Sequence, residues 1–247
     1  MKPKNCNTYI FLDSGDPEET KNTIAMLGFL DGQTTNPSLI SKNPDVQKYI
    51  KAGKIFTKED VLQEYHQIVS EISRLIPDGS VSVEVYADKD TKHEEMFSQS
   101  EQMYSWIPNA HIKFPTTKEG LAAAEMAVQK DIRVNMTLCF TSQQAAAVYV
   151  ATQNAGISSL PPYKNVFISP FVGRLDDRGD NGMDLIKNIK TMYAQGDGHV
   201  SVLTASVRTI DHFLYALQLE SDIITAPFSV LKAWKEMGCK IPDRSYV

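Results

Sequence analysis

Residues 80–115, SVSVEVYADKDTKHEEMFSQSEQMYSWIPNAHIKFP, establish the fold class of this chain. Ser80–Tyr86 alternates serine and glutamate with valine, which is typical of a β-strand. Lys92–Trp106 is predicted to be helical, and Ala110–Phe114 is predicted to be the next strand. A strand, a helix and a strand in this order predict a parallel βαβ unit, and therefore an α/β protein.

The same rhythm continues on both sides of this unit. The other predicted strands are Thr8–Leu12, Gly32–Thr35, Arg133–Cys139, Val166–Pro170, His199–Ala205 and Asp222–Ala226. The other predicted helices are Pro17–Leu30, Lys58–Ile76, Lys118–Gln129, Ser142–Gln153, Met183–Ala194, Ile210–Leu219 and Ser229–Met237. Eight such pairs favour a closed (β/α)8 TIM barrel over an open doubly wound sheet. No G-x-G-x-x-G sequence follows the first strand, which weakens the dinucleotide-binding alternative. We expect one barrel domain over residues 1–247.

Two segments stand outside this rhythm. The residues between Asn43 and Lys58 are predicted to be a surface insertion without a chemical role. Gly173–Gly182, GRLDDRGDNG, is the most polar and glycine-rich stretch and directly follows a predicted strand. In a barrel, a loop at that position lies on the face where active sites are built.

Composition excludes several classes of protein. The chain has 247 residues, 42% of them hydrophobic and 22% charged, with a formal net charge of −5, so no nucleic-acid-binding surface is indicated. No segment approaches the ~20 apolar residues that span a bilayer, and the N-terminus does not resemble a signal peptide. Cys6, Cys139 and Cys239 are far apart and form no CxxC, which indicates reduced thiols rather than disulfides or a zinc site. We expect a cytoplasmic protein.

Polar residues recur on one face of several predicted strands. Because successive side chains of a strand alternate between its faces, residues two apart share a face. The pairs are Ser82 and Glu84, His111 and Lys113, Asn135 and Thr137, and Thr204 and Ser206. The opposite face of each strand is apolar and suits packing against helices, so the polar face is predicted to be the barrel interior. No role is assigned to His111.

This parity predicts a single polar cavity formed by many strands. Its members are Asp13, Asn36, Glu84, Lys113, Asn135, Thr137, Ser169 and Ser206. An isolated buried charge costs several kcal/mol, and the set of Asp13, Glu84 and Lys113 can offset that cost internally. Such groups have perturbed pKa values at functional sites. Each residue alone also has a structural explanation: Asp13 and Asn36 suit turns or caps, and Lys113 could lie on an edge strand.

Seven segments of the chain resemble the transaldolase family, which includes the fructose-6-phosphate aldolases. They are FLDSGD (11–16), GQTTNPSLI (32–40), VSVEVYAD (81–88), HIKFP (111–115), RVNMTLCFTSQQA (133–145), ISPFVGRLDD (168–177) and TASVR (204–208). They cover nearly the whole chain in the family's order. The resemblance implies a class I, Schiff-base aldolase barrel, and the compact length is similar to that of the short branch of the family.

The resemblance also implies a role for each candidate residue. Lys113 matches the lysine that forms a Schiff base with the ketose carbonyl, and Asp13 matches the acid/base at the C4 hydroxyl. Glu84 and Thr137 match the pair that activates a water during dehydration of the carbinolamine. Substrate-binding positions are Asn36, Asn135 and Ser169 at the dihydroxyacetone unit, Phe171 beside them, and Arg174, Ser206 and Arg208 at the phosphate. Arg174 and Arg208 could instead be salt-bridged loop residues.

Two of these positions bear on the reaction type. Transaldolases carry Glu and Phe where this chain has Glu84 and Phe171, whereas the aldolases resemble Gln and Tyr. We therefore expect transfer of dihydroxyacetone from fructose 6-phosphate or sedoheptulose 7-phosphate to an aldose phosphate, as in the pentose phosphate pathway. An aldolase releasing free dihydroxyacetone, a transaldolase for another anionic-tailed sugar such as a sulfonated one, and a non-catalytic barrel stay open as alternatives. No metal or organic cofactor is implied, and the resemblance suggests a homo-oligomer.

Overall fold

A computed structural model of the chain describes residues 2–53, 56–156, 160 and 162–243. Within these ranges eight parallel strands pair in chain order and close into a barrel, since β1 pairs with both β2 and β8. The strands are Tyr9–Asp13 (β1), Gly32–Thr34 (β2), Ser80–Glu84 (β3), Ala110–Pro115 (β4), Val134–Cys139 (β5), Val166–Pro170 (β6), Val200–Thr204 (β7) and Ile223–Ala226 (β8). The predicted TIM barrel is confirmed.

Helices follow each strand and form the outer layer. They are Pro17–Leu27 (α1), Pro37–Ile40 (α2), Pro44–Lys51 (α3), Lys58–Leu75 (α4), His93–Tyr104 (α5), Lys118–Val128 (α6), Ser142–Ala151 (α7), Val172–Asp176 (α8), Gly182–Tyr193 (α9), Ile210–Gln218 (α10) and Phe228–Glu236 (α11). No helix among the described residues is long and apolar enough to cross a membrane.

Polar caps fix where several helices begin after the strands. The side chain of Asp16 accepts a hydrogen bond from the Glu18 N–H at the start of α1, and Asn36 does the same for Leu39 in α2. These caps satisfy backbone donors that a helix leaves unpaired at its first turn. At the other end of α1, Gly28 adopts a left-handed φ of 79°, and its N–H donates to the Ile24 carbonyl. Because this arrangement ends a helix, α1 stops at Leu27 and not at the predicted Leu30.

The strands separate two apolar layers. Their outward side chains join the helices in one large core, which includes Leu12, Val83 and Phe114. Inside the barrel, a smaller cluster fills the end near the strand N-termini. Its buried members are Phe11, Tyr163, Phe167, Leu203, Ala205 and Ile223. Because this cluster closes one end of the interior, the polar inward residues above it face the opposite end, where the strands terminate.

The prediction for β7 was wrong at Thr204. Leu203 pairs in register with Ile223 and lies in the inner cluster, so its neighbour Thr204 faces the helices. There the Thr204 hydroxyl lies 2.8 Å from that of Ser221. Thr204 and Ser206 do not share the inward face as predicted, because Ser206 has a left-handed φ of 58° that interrupts the alternation of side chains.

The two segments outside the rhythm both contain helix. The predicted surface insertion carries α3, of which only Val46 is buried, and residues 54 and 55 lie outside the described ranges. Gly173–Gly182 was predicted to be a loop, yet its first residues belong to α8 and its last residue begins α9. The remaining turn does lie after β6 on the carboxyl-terminal face of the barrel.

Candidate active site

The amine of Lys113 lies inside the barrel against a carboxylate. In the parallel register of the sheet, Lys113 on β4 pairs with Glu84 on β3 and with Asn135 on β5, so all three side chains share the inward face. The Lys113 Nζ is 2.8 Å from Glu84 Oε2 and donates to the Thr35 carbonyl at 3.0 Å. Lys113 is only 5% exposed. The charge of a nearly buried amine is thus balanced by a direct ion pair, as burial requires.

Asp13 brings a second carboxylate to the same interior. The Thr34 hydroxyl donates to Asp13 Oδ1 at 2.7 Å, and the Thr225 hydroxyl lies 2.6 Å from that of Thr34. Loss of water around the carboxylate raises the pKa of Asp13, while the Lys113 charge and the Thr34 hydrogen bond act in the opposite direction and the Glu84 charge adds to the rise. A carboxyl group with a raised pKa holds a proton closer to neutral pH, which suits an acid/base.

A hydrogen-bonded chain fixes the amide of Asn135 behind these groups. The Ser169 hydroxyl donates to Asn135 Oδ1 at 2.6 Å, and Asn135 Nδ2 donates to Ser82 Oγ at 3.1 Å. Since both ends of the amide are engaged, its orientation is set by β3 and β6 on either side of β5. Asn135 itself is fully buried.

Thr137 offers an unused hydrogen-bonding group to the interior. Its Oγ1 is buried and has no partner among the described residues. A buried hydroxyl without a partner is uncommon in native structures, and each such group calls for an explanation. Here a water or a substrate atom would satisfy it, because Thr137 lines the cavity above Lys113.

A cavity of about 330 Å³ opens at the carboxyl-terminal end of the strands. Nine of its lining residues were predicted from the sequence: Asp13, Asn36, Lys113, Thr137, Ser169, Phe171, Arg174, Ser206 and Arg208. The other two predicted residues, Glu84 and Asn135, contact members of this set from behind. Glu84 also lines a neighbouring apolar cavity of about 240 Å³. The structure thus brings all the predicted site residues together.

Two arginines stand at one side of the cavity. Arg174, on α8, lines it and is exposed, and no ion pair within the described ranges engages this guanidinium. Arg208 makes a two-pronged contact with Asp177, including an Nη2–Oδ2 distance of 2.6 Å, and this pairing raises the pKa of Arg208 and lowers that of Asp177. Arg208 is therefore both salt-bridged and part of the cavity wall.

Close approach of two loops sets the position of these groups. Gly173 begins the turn that carries Arg174, and its N–H donates to the Ser206 carbonyl at 3.1 Å. A Cβ at this glycine would stand 2.4 Å from the Ser206 carbonyl oxygen and 2.8 Å from Arg208 Nε. Only glycine fits such a contact, so the backbone of α8 lies directly against the segment that carries Ser206 and Arg208.

Several residues of the cavity were not predicted. Lys42 lines it from the turn after α2, opposite the arginines, and its charge lowers the pKa of Asp13 in part. Strand parity could not find Lys42, because that residue is on no strand. Thr34 and Thr225 also line the cavity, and parity with Gly32 and Ile223 was a usable signal for both.

His111 and Cys139 have structural surroundings. The His111 ring stacks on Phe167 at 4.0 Å, with Nδ1 at 2.8 Å from Ser80 Oγ and Nε2 at 2.9 Å from the Lys164 carbonyl. Burial lowers the pKa of His111 to about 3. Burial raises the pKa of the Cys139 thiol to about 12, which opposes nucleophilic reactivity. No cluster of metal-binding side chains occurs in the described part of the chain.

These features define a (β/α)8 barrel with a lysine–carboxylate cavity at the carboxyl-terminal ends of its strands. Residues 10–245 match the family described as transaldolase/fructose-6-phosphate aldolase. The chain belongs to that family.

Related proteins support this assignment. The chain is 39% identical over 224 residues to a probable transaldolase of Mesorhizobium japonicum, an alignment that covers 90% of this chain and 87% of that protein. It is 37% identical over 223 residues to a probable transaldolase of Brucella ovis, with the same coverage, and 35% identical over 222 residues to one of Dehalococcoides mccartyi, covering 90% and 88%.

A solved structure resembles the barrel at the level of the fold alone. The crystal structure of KGPDC from Streptococcus mutans superposes with a TM-score of 0.52 at 12% sequence identity, covering 95% of this chain and 99% of the other. At this identity the similarity shows a shared architecture and carries no information on substrate.

Proposed function

We propose that this chain is a transaldolase, which transfers a dihydroxyacetone unit from fructose 6-phosphate or sedoheptulose 7-phosphate to an aldose phosphate through a Schiff base on Lys113. The observation that carries the proposal is the contact between the Lys113 amine and the Glu84 carboxylate inside a cavity flanked by cations. An amine nucleophile needs a nearby base to take its proton, and Glu84 is the group in position to do so.

The first half of the reaction forms the covalent donor. The Lys113 amine adds to the C2 carbonyl of the ketose, and the resulting carbinolamine loses water to give an imine. Glu84 accepts the proton from the amine and returns it to the departing hydroxyl, directly or through a water held by the unpaired Thr137 hydroxyl. The raised pKa of Asp13 then suits it to take the C4 hydroxyl proton as the C3–C4 bond breaks.

The second half returns the dihydroxyacetone unit to an acceptor. Breaking the C3–C4 bond leaves an enamine on Lys113, with the fixed amide of Asn135, Asn36 and Ser169 placed to hold its hydroxyls. The enamine attacks the aldehyde carbon of the acceptor, Asp13 returns the proton to the new hydroxyl, and water hydrolyses the imine. These steps are the first half in reverse, so the same groups serve both.

The cations of the cavity are proposed to bind the phosphate. Arg174 and Arg208 present guanidinium donors, which suit phosphate oxygens, and Ser206 adds a hydroxyl between them. We add Lys42 to this set, because it lines the same cavity and no ion pair in the described residues engages it. A sulfonated sugar would use the same anion-binding groups.

A transfer assay tests the proposed reaction. Incubated with fructose 6-phosphate and erythrose 4-phosphate, the protein should form sedoheptulose 7-phosphate and glyceraldehyde 3-phosphate, and Lys113→Ala should abolish turnover. Omitting erythrose 4-phosphate should leave only slow release of dihydroxyacetone, because Phe171 offers no hydroxyl to a water at the enamine. In Phe171→Tyr this release should rise. Release by the unmodified protein that is as fast as transfer would identify an aldolase instead.

A further inference from the structure

Tyr65 reaches the site from the outer layer of the barrel. It belongs to α4, is 3% exposed and packs edge-on against Trp106 at 5.9 Å. Its hydroxyl lies between the ends of β2 and β3, at 2.8 Å from the backbone nitrogen of Glu84 and 2.8 Å from Thr35 Oγ1. A helix residue is therefore wedged between the two strands that hold partners of Lys113.

The donors in this network can be assigned. The Thr35 hydroxyl lies 2.7 Å from the Ser82 carbonyl, which can only accept, so Thr35 donates its hydrogen there. The hydrogen between Tyr65 and Thr35 must then come from Tyr65. Glu84 N–H donates to the same Tyr65 oxygen. The result is a single chain that runs from the Glu84 N–H through Tyr65 and Thr35 to Ser82, in which each bond polarises the next.

This chain stands where the sheet itself stops holding the backbone. The ladder between β2 and β3 ends at the pair Thr34 and Ser82, and beyond it Thr35 N donates to the Ser82 carbonyl at 3.1 Å. Both acceptors of the Lys113 amine lie at or past this point: the Thr35 carbonyl at 3.0 Å and the Glu84 carboxylate at 2.8 Å. The Tyr65 hydroxyl is the atom that joins the segments bearing them.

We propose that Tyr65 is a positioning residue, which holds the Thr35 carbonyl and the Glu84 carboxylate on the Lys113 amine through its hydroxyl. The inference rests on the proposed Schiff-base function. Burial raises the pKa of Tyr65, so the hydroxyl stays a neutral donor throughout the working pH range. Tyr65 acts without contacting the substrate, and its effect falls on the steps that form and hydrolyse the imine.

The consequence is a separation between chemistry and binding. Without the Tyr65 hydroxyl, Glu84 and Thr35 lose a shared anchor next to the amine, whereas Arg174, Ser206 and Arg208 lie across the cavity on other segments. Small misplacement of reacting groups slows a reaction strongly. Imine formation should therefore slow while phosphate binding is retained.

The test compares Tyr65→Phe with Tyr193→Phe. Phenylalanine keeps the ring packing on Trp106 and removes only the hydroxyl. Tyr193 is a matched control, because it is also buried and donates to a backbone carbonyl, that of Ala145 at 2.8 Å, in the outer layer. We measure kcat and KM for transfer, and the rate of borohydride trapping of Lys113 with fructose 6-phosphate. Tyr65→Phe should lower kcat and the trapping rate by about 10- to 100-fold with KM changed less than about threefold, and the control should match the wild type.

A second variant guards against a mere loss of folding. Thr35→Val breaks the same chain at its next link, so it should lower the trapping rate too, and the double variant should be no slower than the slower single variant. Folded Tyr65→Phe with wild-type kcat and trapping would overturn the inference, as would multiplying effects of the two substitutions. Failure of the proposed function gives a different result, since the wild type would then form no adduct at Lys113.

Discussion

Two basic side chains that share a strand face have opposite surroundings. His111 lies two residues before Lys113 on β4, and Ser80, the Lys164 carbonyl and the Phe167 ring enclose it completely. Lys113 stands one step nearer the open end, against Glu84 and the cavity. The same strand parity predicted both to face inward. Depth along the strand, which parity does not report, separates a packed histidine from a reactive amine.

His111 should make the stability of the fold depend on pH. Its pKa is about 3 in the folded protein and 6.5 ordinarily, so below pH 6.5 the unfolded chain binds a proton that the folded chain does not. The stability that this neutral histidine preserves is complete above pH 6.5 and is lost progressively as pH falls toward 3. The loss amounts to ~1.4 kcal/mol per pH unit over that window.

Urea unfolding at pH 7, 6 and 5 measures this effect. In His111→Gln the free energy of unfolding should fall less steeply between pH 6 and 5 than in the wild type. His66→Gln is the control, because His66 is exposed and stacks on Trp106 at the surface. Equal slopes for the wild type and His111→Gln would show that the buried ring does not resist protonation.

Among the helices and strands, the contact between α8 and the segment after β7 shapes the phosphate side of the cavity. Gly173→Ala would push a methyl group into the Ser206 carbonyl and the Arg208 side chain. We expect KM for fructose 6-phosphate to rise by about tenfold or more, the loss expected from a charge-assisted contact. Trapping of unphosphorylated dihydroxyacetone at Lys113 should change little, because the Lys113–Glu84 pair lies on other strands.

Steady-state kinetics with the two substrates separate these effects. Gly120→Ala serves as a comparison, because its Cβ would meet the Pro115 carbonyl at the end of β4 and disturb the lysine strand instead. An unchanged KM for the phosphorylated sugar in Gly173→Ala would argue against a phosphate site at this contact.

The strands were predictable because each alternates or runs apolar between turn residues, and the helices because they are long. The elements that escaped prediction had specific physical causes. The helix α8 spans five residues inside a glycine-rich segment, too short to give a periodic signal. The error at Thr204 came from extending strand alternation through Ser206, whose left-handed backbone no sequence pattern announced. Lys42 and Tyr65 come from a turn and a helix, where strand parity has no reach.

For the whole molecule, the barrel explains how a chain with a net charge of −5 can present an anion site. Parallel strands bring their carboxyl ends to one face, and Lys42, Arg174 and Arg208 from separate loops meet around the same cavity. The closed barrel and the family were predictable from the sequence. The single domain over residues 1–247, the cytoplasmic location, the homo-oligomeric state and the independence from metals and cofactors stay predictions.

Covalent attachment of the sugar to Lys113 is the step on which the proposed reaction depends. Borohydride reduction during turnover with fructose 6-phosphate, followed by peptide mass spectrometry, detects that bond. We expect the peptide containing Lys113 to gain the mass of a reduced dihydroxyacetone adduct, whereas Lys42, which lines the same cavity, stays unmodified. An unmodified Lys113 in protein that is actively turning over would rule out the Schiff base.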